Sequence, residues 1–557
     1  MSPSLSLPAR THSAVNLLSQ HETRVMGNCS KSSAFSQYHT HPDSFFSHTP
    51  SLVSFFISSH FQPIFVLKAL PFILSSIMPL SMDSIPHYTL TEVVVVGIVA
   101  EVLLYGLISL YNGRKQLTPV VPHSQSCGLV TEKQTVSETP YCLRDGIYLP
   151  FSGKRVPNRL VKAPMTERVC VFDRETEVSH GKPNSALFRL YEEWSRGQYG
   201  MVITGNVLVD KHHLEAVGNP IIDRSLPSQP STCTEDTPHP YTSAYAELAL
   251  NARKHSHSTL VIAQLNHPGS HSSDKLTPVP VSPSGVMAAP AMGETYNRPR
   301  ALTELEIWDI IDRFAYASYT LFLAGFDGVQ LHAAHGYLLT QFLSPLTNLR
   351  TDAWGGALEG RAKIMLEIVN AIRCRCPSSF SISVKLNSQD FLVGGFTADD
   401  SLALCVLLEQ HNVDFVEISG GTYDSMLDAF THSRESTRKR EAYFIEFSEK
   451  LRRQLTNTKV VLTGGFKTAG GMAQAIDDGA CDFVGLARTT AAEPRIGASI
   501  LATRTTRARP TLIPDHIGLQ TGAAFVQIKD IGEGREATDF SKPEEATKFL
   551  TALGIVA

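Results

Sequence analysis

Gly325-Phe-Asp-Gly-Val-Gln-Leu-His-Ala-Ala-His-Gly-Tyr-Leu-Leu-Thr-Gln-Phe-Leu-Ser-Pro345 reads as the end of a buried strand followed by a cluster of polar, titratable groups. The apolar run Val329-Gln-Leu331 is the strand. His332 and His335 follow three residues apart, then Gly336 and Tyr337, and a second apolar run stops at Pro345. Parallel α/β folds place their chemistry at the carboxyl ends of strands. Two imidazoles and a phenol at such an end can grip a carbonyl oxygen and deliver a proton. The same pattern also fits a buried strand with core histidines, or a His-x-x-His metal site. The metal alternative lacks a nearby carboxylate or thiol set to complete it, so no metal is expected.

Working outward, the motif continues past Pro345 with Asn348-x-Arg350-x-Asp352-x-x-Gly355-Gly356 and Arg361. Together with His-Ala-Ala-His-Gly-Tyr-Leu and Gln-Phe-Leu-Ser-Pro, this order resembles the old yellow enzyme family. These are FMN-dependent NAD(P)H oxidoreductases on a (β/α)8 barrel. The resemblance spans roughly Tyr141 to Arg509 and implies the roles that follow.

Gly146 to Glu167 resembles the family's opening, a hairpin plugging the barrel floor and then a first strand, Arg159–Ala163. Pro164 and Met165 would lend backbone to the flavin, and Thr166 would offer its hydroxyl to the flavin carbonyl O4. Tyr199–Asn206 is the second strand. Gly205 would let backbone approach a flat ligand, and Asn206 stands where the family has a small residue beside the flavin. His212 and His213 in the next loop read as surface residues. Leu260–Gly269 is the third strand, with Gln264 matching the glutamine at the flavin pyrimidine edge. Ser270 stands where relatives often carry arginine, and His271 has no assigned role. Thr303 and Glu306 form a capping box opening a helix to about Ala324.

Phe380–Asn387 is the fifth strand. Lys385 replaces a common arginine near flavin N1 and O2, keeping the charge but losing the planar fork. Val413–Tyr423 carries the sixth strand and a loop whose Tyr423 would touch substrate. Lys459–Phe466 and Ala480–Arg488 are the seventh and eighth strands, the phosphate end of such a barrel. There Gly464 and Gly465 expose amides, Ala487 replaces a usual glycine, and Arg488 would pair with the phosphate. His332 and His335 would hold the substrate oxygen. Tyr337, protonated at pH 7 with an ordinary tyrosine pKa of about 10, would be the acid.

Length and composition agree with this. The 557 residues suffice for one barrel of roughly 250 to 400 residues plus extensions. Hydrophobic residues are 43% and charged residues 18%, an ordinary globular balance. A net charge of −4 argues against nucleic acid. Nine cysteines form no C-x-x-C pair and no iron–sulfur spacing. Cys374 and Cys376 read as two helix-end thiols, and a reducing compartment is the simpler inference.

The expected organisation is an extension over 1–81, a candidate membrane anchor over 82–115, a linker over 116–140, the FMN-binding barrel over 141–509 and a tail over 510–557. Residues 1–81 read either as a low-order segment or as sequence upstream of a true start at Met82. Val93–Leu110 holds eighteen residues with one charge, Glu101. It is long enough either to span a bilayer, with the barrel on the cytosolic side, or to form a buried helix. Three functions fit: reduction of enones with NADH or NADPH, an oxidase passing electrons to oxygen or quinones, or a catalytically inactive anchored barrel. The first is the expectation, in a cytoplasmic or membrane-tethered protein.

Overall fold

The computed structural model describes residues 141–175, 177–226, 238–290, 294–419 and 445–555. The expectations for 1–140, including the candidate anchor, and for Tyr423 fall outside them. Within Thr131–Ala557, eight parallel strands close into a barrel in chain order. They are β1 (Leu160–Lys162), β2 (Met201–Leu208), β3 (Leu260–Asn266), β4 (Gly328–Ala333), β5 (Ser381–Asn387), β6 (Phe415–Ser419), β7 (Lys459–Thr463) and β8 (Phe483–Leu486). Closure comes from β8 pairing with β1, Leu486 opposite Lys162. This is the (β/α)8 architecture the motifs imply.

Alternation along each strand sorts its side chains. Val202, Val261, Val329, Val384, Val416 and Val460 belong to the large core shared with the surrounding helices. Met201, Ile203, Ile262, Phe415, Val461 and Phe483 form a separate apolar plug with Leu149 and Val156. The last two come from the antiparallel hairpin Ile147–Tyr148/Arg155–Val156. Its turn is tied down where the amides of Phe151 and Ser152 donate to Asp414 Oδ1 at 2.8 and 3.0 Å. Further along, the ring of positions changes character to Gln264, Gln330, Lys385 and Glu417, then His332, Asn387 and Ser419. An apolar floor under a polar upper layer marks the carboxyl end as the working end.

The helices that wrap the barrel include α1 (Ser185–Ser195), α2 (Thr242–Arg253), α3 (Glu304–Leu323), α4 (Leu338–Leu343), α5 (Leu358–Arg375), α6 (Ala398–Gln410) and α7 (Ala469–Asp477). They are followed by α8 (Arg488–Ala492), α9 (Ile496–Leu501), α10 (Ile517–Gly532) and α11 (Pro543–Ala552). α3 starts on the expected capping box, Thr303 accepting from the Glu306 amide and Glu306 reaching back. Cys376 caps α5 and is buried, whereas Cys374 is exposed, and both are free thiols. α10 was not foreseen. Its N-cap is His516, whose ring accepts from the Leu519 amide, and it buries Ala524, Ile528 and Ile531. Arg189 of α1 donates to Gly532 O at 2.9 Å, fastening this helix to the barrel's outer ring. Among the described residues no helix is long and apolar enough to cross a membrane.

Candidate active site

His332 lies on β4, with its register partner Lys385 on β5. The chain then bends through two left-handed residues, His335 at φ +63° and Gly336 at φ +83°. A left-handed histidine is uncommon and marks a turn held by its surroundings. Here the His335 amide donates to Asn387 Oδ1 at 3.2 Å, and its Nε2 lies 2.9 Å from Ser419 Oγ. The bend brings His335 Nδ1 to 3.1 Å from His332 Nε2. Tyr337, the N-cap of α4, is buried with its ring edge-on to His332 at 4.8 Å between centroids. Three groups named from the sequence therefore meet at one strand end. Burial, the neighbouring His335 and the positive charge of Lys385 hold the His332 pKa well below its usual value. Burial and Lys385 take His335 down to about 3, so both rings are neutral at pH 7.

The other side of His332 leads through Asn206 to Glu215, which the sequence reading missed. Its Nδ1 lies 2.9 Å from Asn206 Oδ1. Asn206 Nδ2 donates to Glu215 Oε2 at 3.2 Å. Thr166 Oγ1 at 2.7 Å and Asn219 Nδ2 at 3.1 Å donate to the same oxygen, and Arg168 pairs with the other. Burial pushes the Glu215 carboxyl up, but Arg168 and these donors outweigh it and leave the pKa lowered. Thr166 thus spends its proton on Glu215 in this structure, where the resemblance had it donating to a flavin carbonyl. Gly205 also differs from expectation. An added Cβ would lie 2.1 Å from Met165 O and 2.2 Å from Glu167, so the glycine admits the chain after β1 rather than a ligand.

A second hydrogen-bonded line crosses the barrel. Gln264 donates to Gln330 Oε1 at 2.7 Å, and Gln330 donates to Glu417 Oε2 at 2.9 Å. Lys385 pairs with Glu417 Oε1 at 2.9 Å, both side chains buried. The expected cation is present but neutralised by a carboxylate the sequence reading did not assign. Asn266, on β3 two residues beyond Gln264, is fully buried, and neither side-chain amide atom has a partner among the described residues.

His213 is not a surface residue. Its Nδ1 lies 2.9 Å from Asp210 Oδ2, and its ring is 4.7 Å from that of His267. His267 Nε2 is 3.7 Å from the same carboxylate oxygen. These three groups have ligand-like spacing. However, Gly269 N–H donates to His267 Nδ1 at 3.1 Å, which puts the imidazole proton on Nε2, facing Asp210. A metal would need a lone pair there. The cluster is a carboxylate bonded to the His213 ring, with the His267 Nε2–H facing it at 3.7 Å.

On the same carboxyl-end rim, across the barrel, β7 and β8 end side by side, Thr463 opposite Gly485. Gly464 and Gly465 follow, both exposed with positive φ, and a Cβ on Gly464 would meet nothing. Thr463 Oγ1 is buried with no partner among the described residues. Ala487 and the exposed Arg488 stand beside them. Open backbone, an orphan hydroxyl and a guanidinium fit a phosphate-bearing cofactor such as FMN. The Asn-x-Arg-x-Asp motif, by contrast, is architectural. Asn348 Nδ2 donates to Phe342 O and Trp354 O, both at 2.8 Å. Arg350 holds Pro283 O and Leu302 O, and Arg361 holds Leu343 O. These bonds fix the segment that follows Tyr337.

Residues 238–506 match the family model described as NADH:flavin oxidoreductase / NADH oxidase. The chain is 37% identical over 421 residues to the NADH-dependent flavin oxidoreductase nadA of Aspergillus parasiticus, covering 75% of this chain and 91% of the relative. It is 33% identical to the NADH-dependent flavin oxidoreductase iliE of Hypocrea jecorina, covering 63% and 86%. The fold is shared with an old yellow enzyme homologue from Zymomonas mobilis (TM-score 0.52, 21% identity, 68% and 98% covered). It is shared also with morphinone reductase (TM-score 0.51, 22% identity, 67% and 92% covered). The eight-stranded barrel, the paired histidines and these relatives agree, and the chain belongs to the old yellow enzyme family of NADH:flavin oxidoreductases.

Proposed function

We propose that this chain is an FMN-dependent NAD(P)H oxidoreductase that reduces the C=C bond of α,β-unsaturated carbonyl compounds in a ping-pong cycle. The observation that carries the proposal is the 3.1 Å approach of His332 Nε2 and His335 Nδ1 with Tyr337 edge-on to His332. FMN, when bound, supplies the hydride acceptor for the nicotinamide and the hydride donor for the substrate. Gly464, Gly465, Ala487 and Arg488 would hold its phosphate. Pro164, Met165, Thr166, Asn206, Gln264 and Lys385 would meet its ring system. The relatives named above are NADH-dependent, which favours NADH as donor.

His332 and His335 hold the substrate oxygen and draw electron density from the β-carbon. Hydrogen bonds aimed where charge develops favour the transition state over the ground state. Tyr337 gives its phenolic proton to the α-carbon. Tyr423 would add a substrate contact.

The test is anaerobic. The FMN-loaded protein is reduced with NADH, 2-cyclohexenone is added, and flavin absorbance is followed. Reoxidation by the enone is the expected result. Recovery only on admitting air would replace the enone reading with the oxidase one, and no flavin binding would remove both.

A further inference from the structure

Which nitrogen of His332 carries its proton is dictated from outside the ring. A carboxylate only accepts hydrogen bonds. Asn206 must therefore turn its amide nitrogen to Glu215, 3.2 Å away, and its oxygen to His332. His332 Nδ1, 2.9 Å from that oxygen, is then the N–H, and neutral His332 keeps a lone pair on Nε2. That lone pair takes His335 Nδ1–H at 3.1 Å. His335 Nε2 in turn takes the Ser419 hydroxyl at 2.9 Å.

We propose that Glu215, acting through Asn206, is a positioning residue that keeps the His332 proton on Nδ1, so that the imidazole pair offers an incoming oxygen one donor and one acceptor. This rests on reading the pair as the grip for a substrate oxygen. A hydroxyl or phenol fits such a pair directly, its O–H donating to His332 Nε2 while its oxygen accepts from His335 Nδ1. A carbonyl oxygen only accepts. To be held by both rings it requires one proton from solvent on His332 Nε2. The groups around His332 are Lys385 with its partner Glu417, His335, Tyr337 and, beyond Asn206, Glu215. Burial and the Lys385 charge keep that proton off the free ring, so uptake accompanies carbonyl binding.

The test uses the full chain with oxidised FMN bound and reads ligand binding from flavin absorbance. The ligand 2-cyclohexenone has no titratable group, so any pH slope in its Kd belongs to the protein. In the native chain Kd should weaken about tenfold per unit as pH rises through the neutral range, the signature of one proton taken up. Glu215→Gln should lose the slope, because an amide at 215 can donate to Asn206 and let Asn206 donate to His332. Asn206→Ala should lose it too, with Glu215 still bound to Thr166 and Arg168. A flat native profile, or a slope kept in both variants, overturns the proposal.

If the enone does not perturb the flavin, 4-nitrophenol takes its place. The native chain should bind it with constant affinity below the phenol's own pKa and progressively more weakly above. Glu215→Gln should instead favour the phenolate, with affinity rising to that pKa and holding beyond it. This pair of profiles with a silent enone would remove the enone reading and keep the tautomer assignment. Matching profiles in the two proteins would remove the assignment. Failure of both ligands to bind would remove the oxygen grip and the assignment together.

Discussion

Glu417 shows how much a single unforeseen side chain changes the expected site. Lys385 was legible from an interior lysine on an apolar strand, but its neutralising partner was not. Glu417 lies mid-strand in Val413-Asp-Phe-Val-Glu-Ile-Ser419, where nothing local says which neighbour it meets. Only closure of the barrel brings β6 beside β5. Glu417→Gln should cost about 3 kcal/mol or more of stability, read by denaturant unfolding, because it leaves a buried lysine unpaired. With FMN bound, the same change should raise the flavin midpoint potential, since an unneutralised Lys385 stabilises the anionic reduced ring. A potential that stays the same or falls would contradict the placement of Lys385 at that ring. Glu215 was missed for a related reason: it sits in a loop, and its partners Thr166 and Arg168 lie 49 and 47 residues back in the chain. The histidines and Tyr337 were legible because one short stretch holds all three.

At the scale of elements, the barrel strands were readable because each is a short apolar run, several of them ending in Gly, Asn or Ser, spaced by helix-length segments. The α3 start was readable because Thr303 and Glu306 carry their own capping chemistry. α10 was not readable. Gly518, Gly522 and Gly532 lower its intrinsic helicity, and its cap is a histidine rather than Ser, Thr, Asp or Asn. Its burial against the barrel is what makes it a helix, a tertiary cause invisible in local sequence. The Asn348, Arg350 and Arg361 motif was legible as a signature but not as a function. The structure gives it one: side-chain donors satisfy the carbonyls of a tight segment and so hold α4, and with it Tyr337.

Across the whole molecule, the interior holds many imidazoles in neutral form. Burial takes His239, His267 and His271 down to about 4 and His335 to about 3. In the unfolded chain each titrates near 6.5. Between those values the unfolded state binds more protons, so acid favours unfolding. Stability should be fully present above about pH 6.5 and fall steadily as pH drops towards 4, on the order of 3 kcal/mol for each such histidine. Urea midpoints measured across that interval check this. A midpoint independent of pH there would mean these rings are accessible to solvent protons in the folded state.

On the proposed function, the strand end carrying His332, His335 and Tyr337 serves the oxidation of reduced flavin by an enone. The most direct measurement is stopped-flow absorbance of the two half-reactions in Tyr337→Phe. Loss of a positioned acid slows the step it serves by about 10² to 10⁴. That loss is expected in reoxidation by 2-cyclohexenone, with flavin reduction by NADH within about twofold of the native rate, a negligible barrier change. Equal slowing of both half-reactions, or none in the enone step, would contradict it.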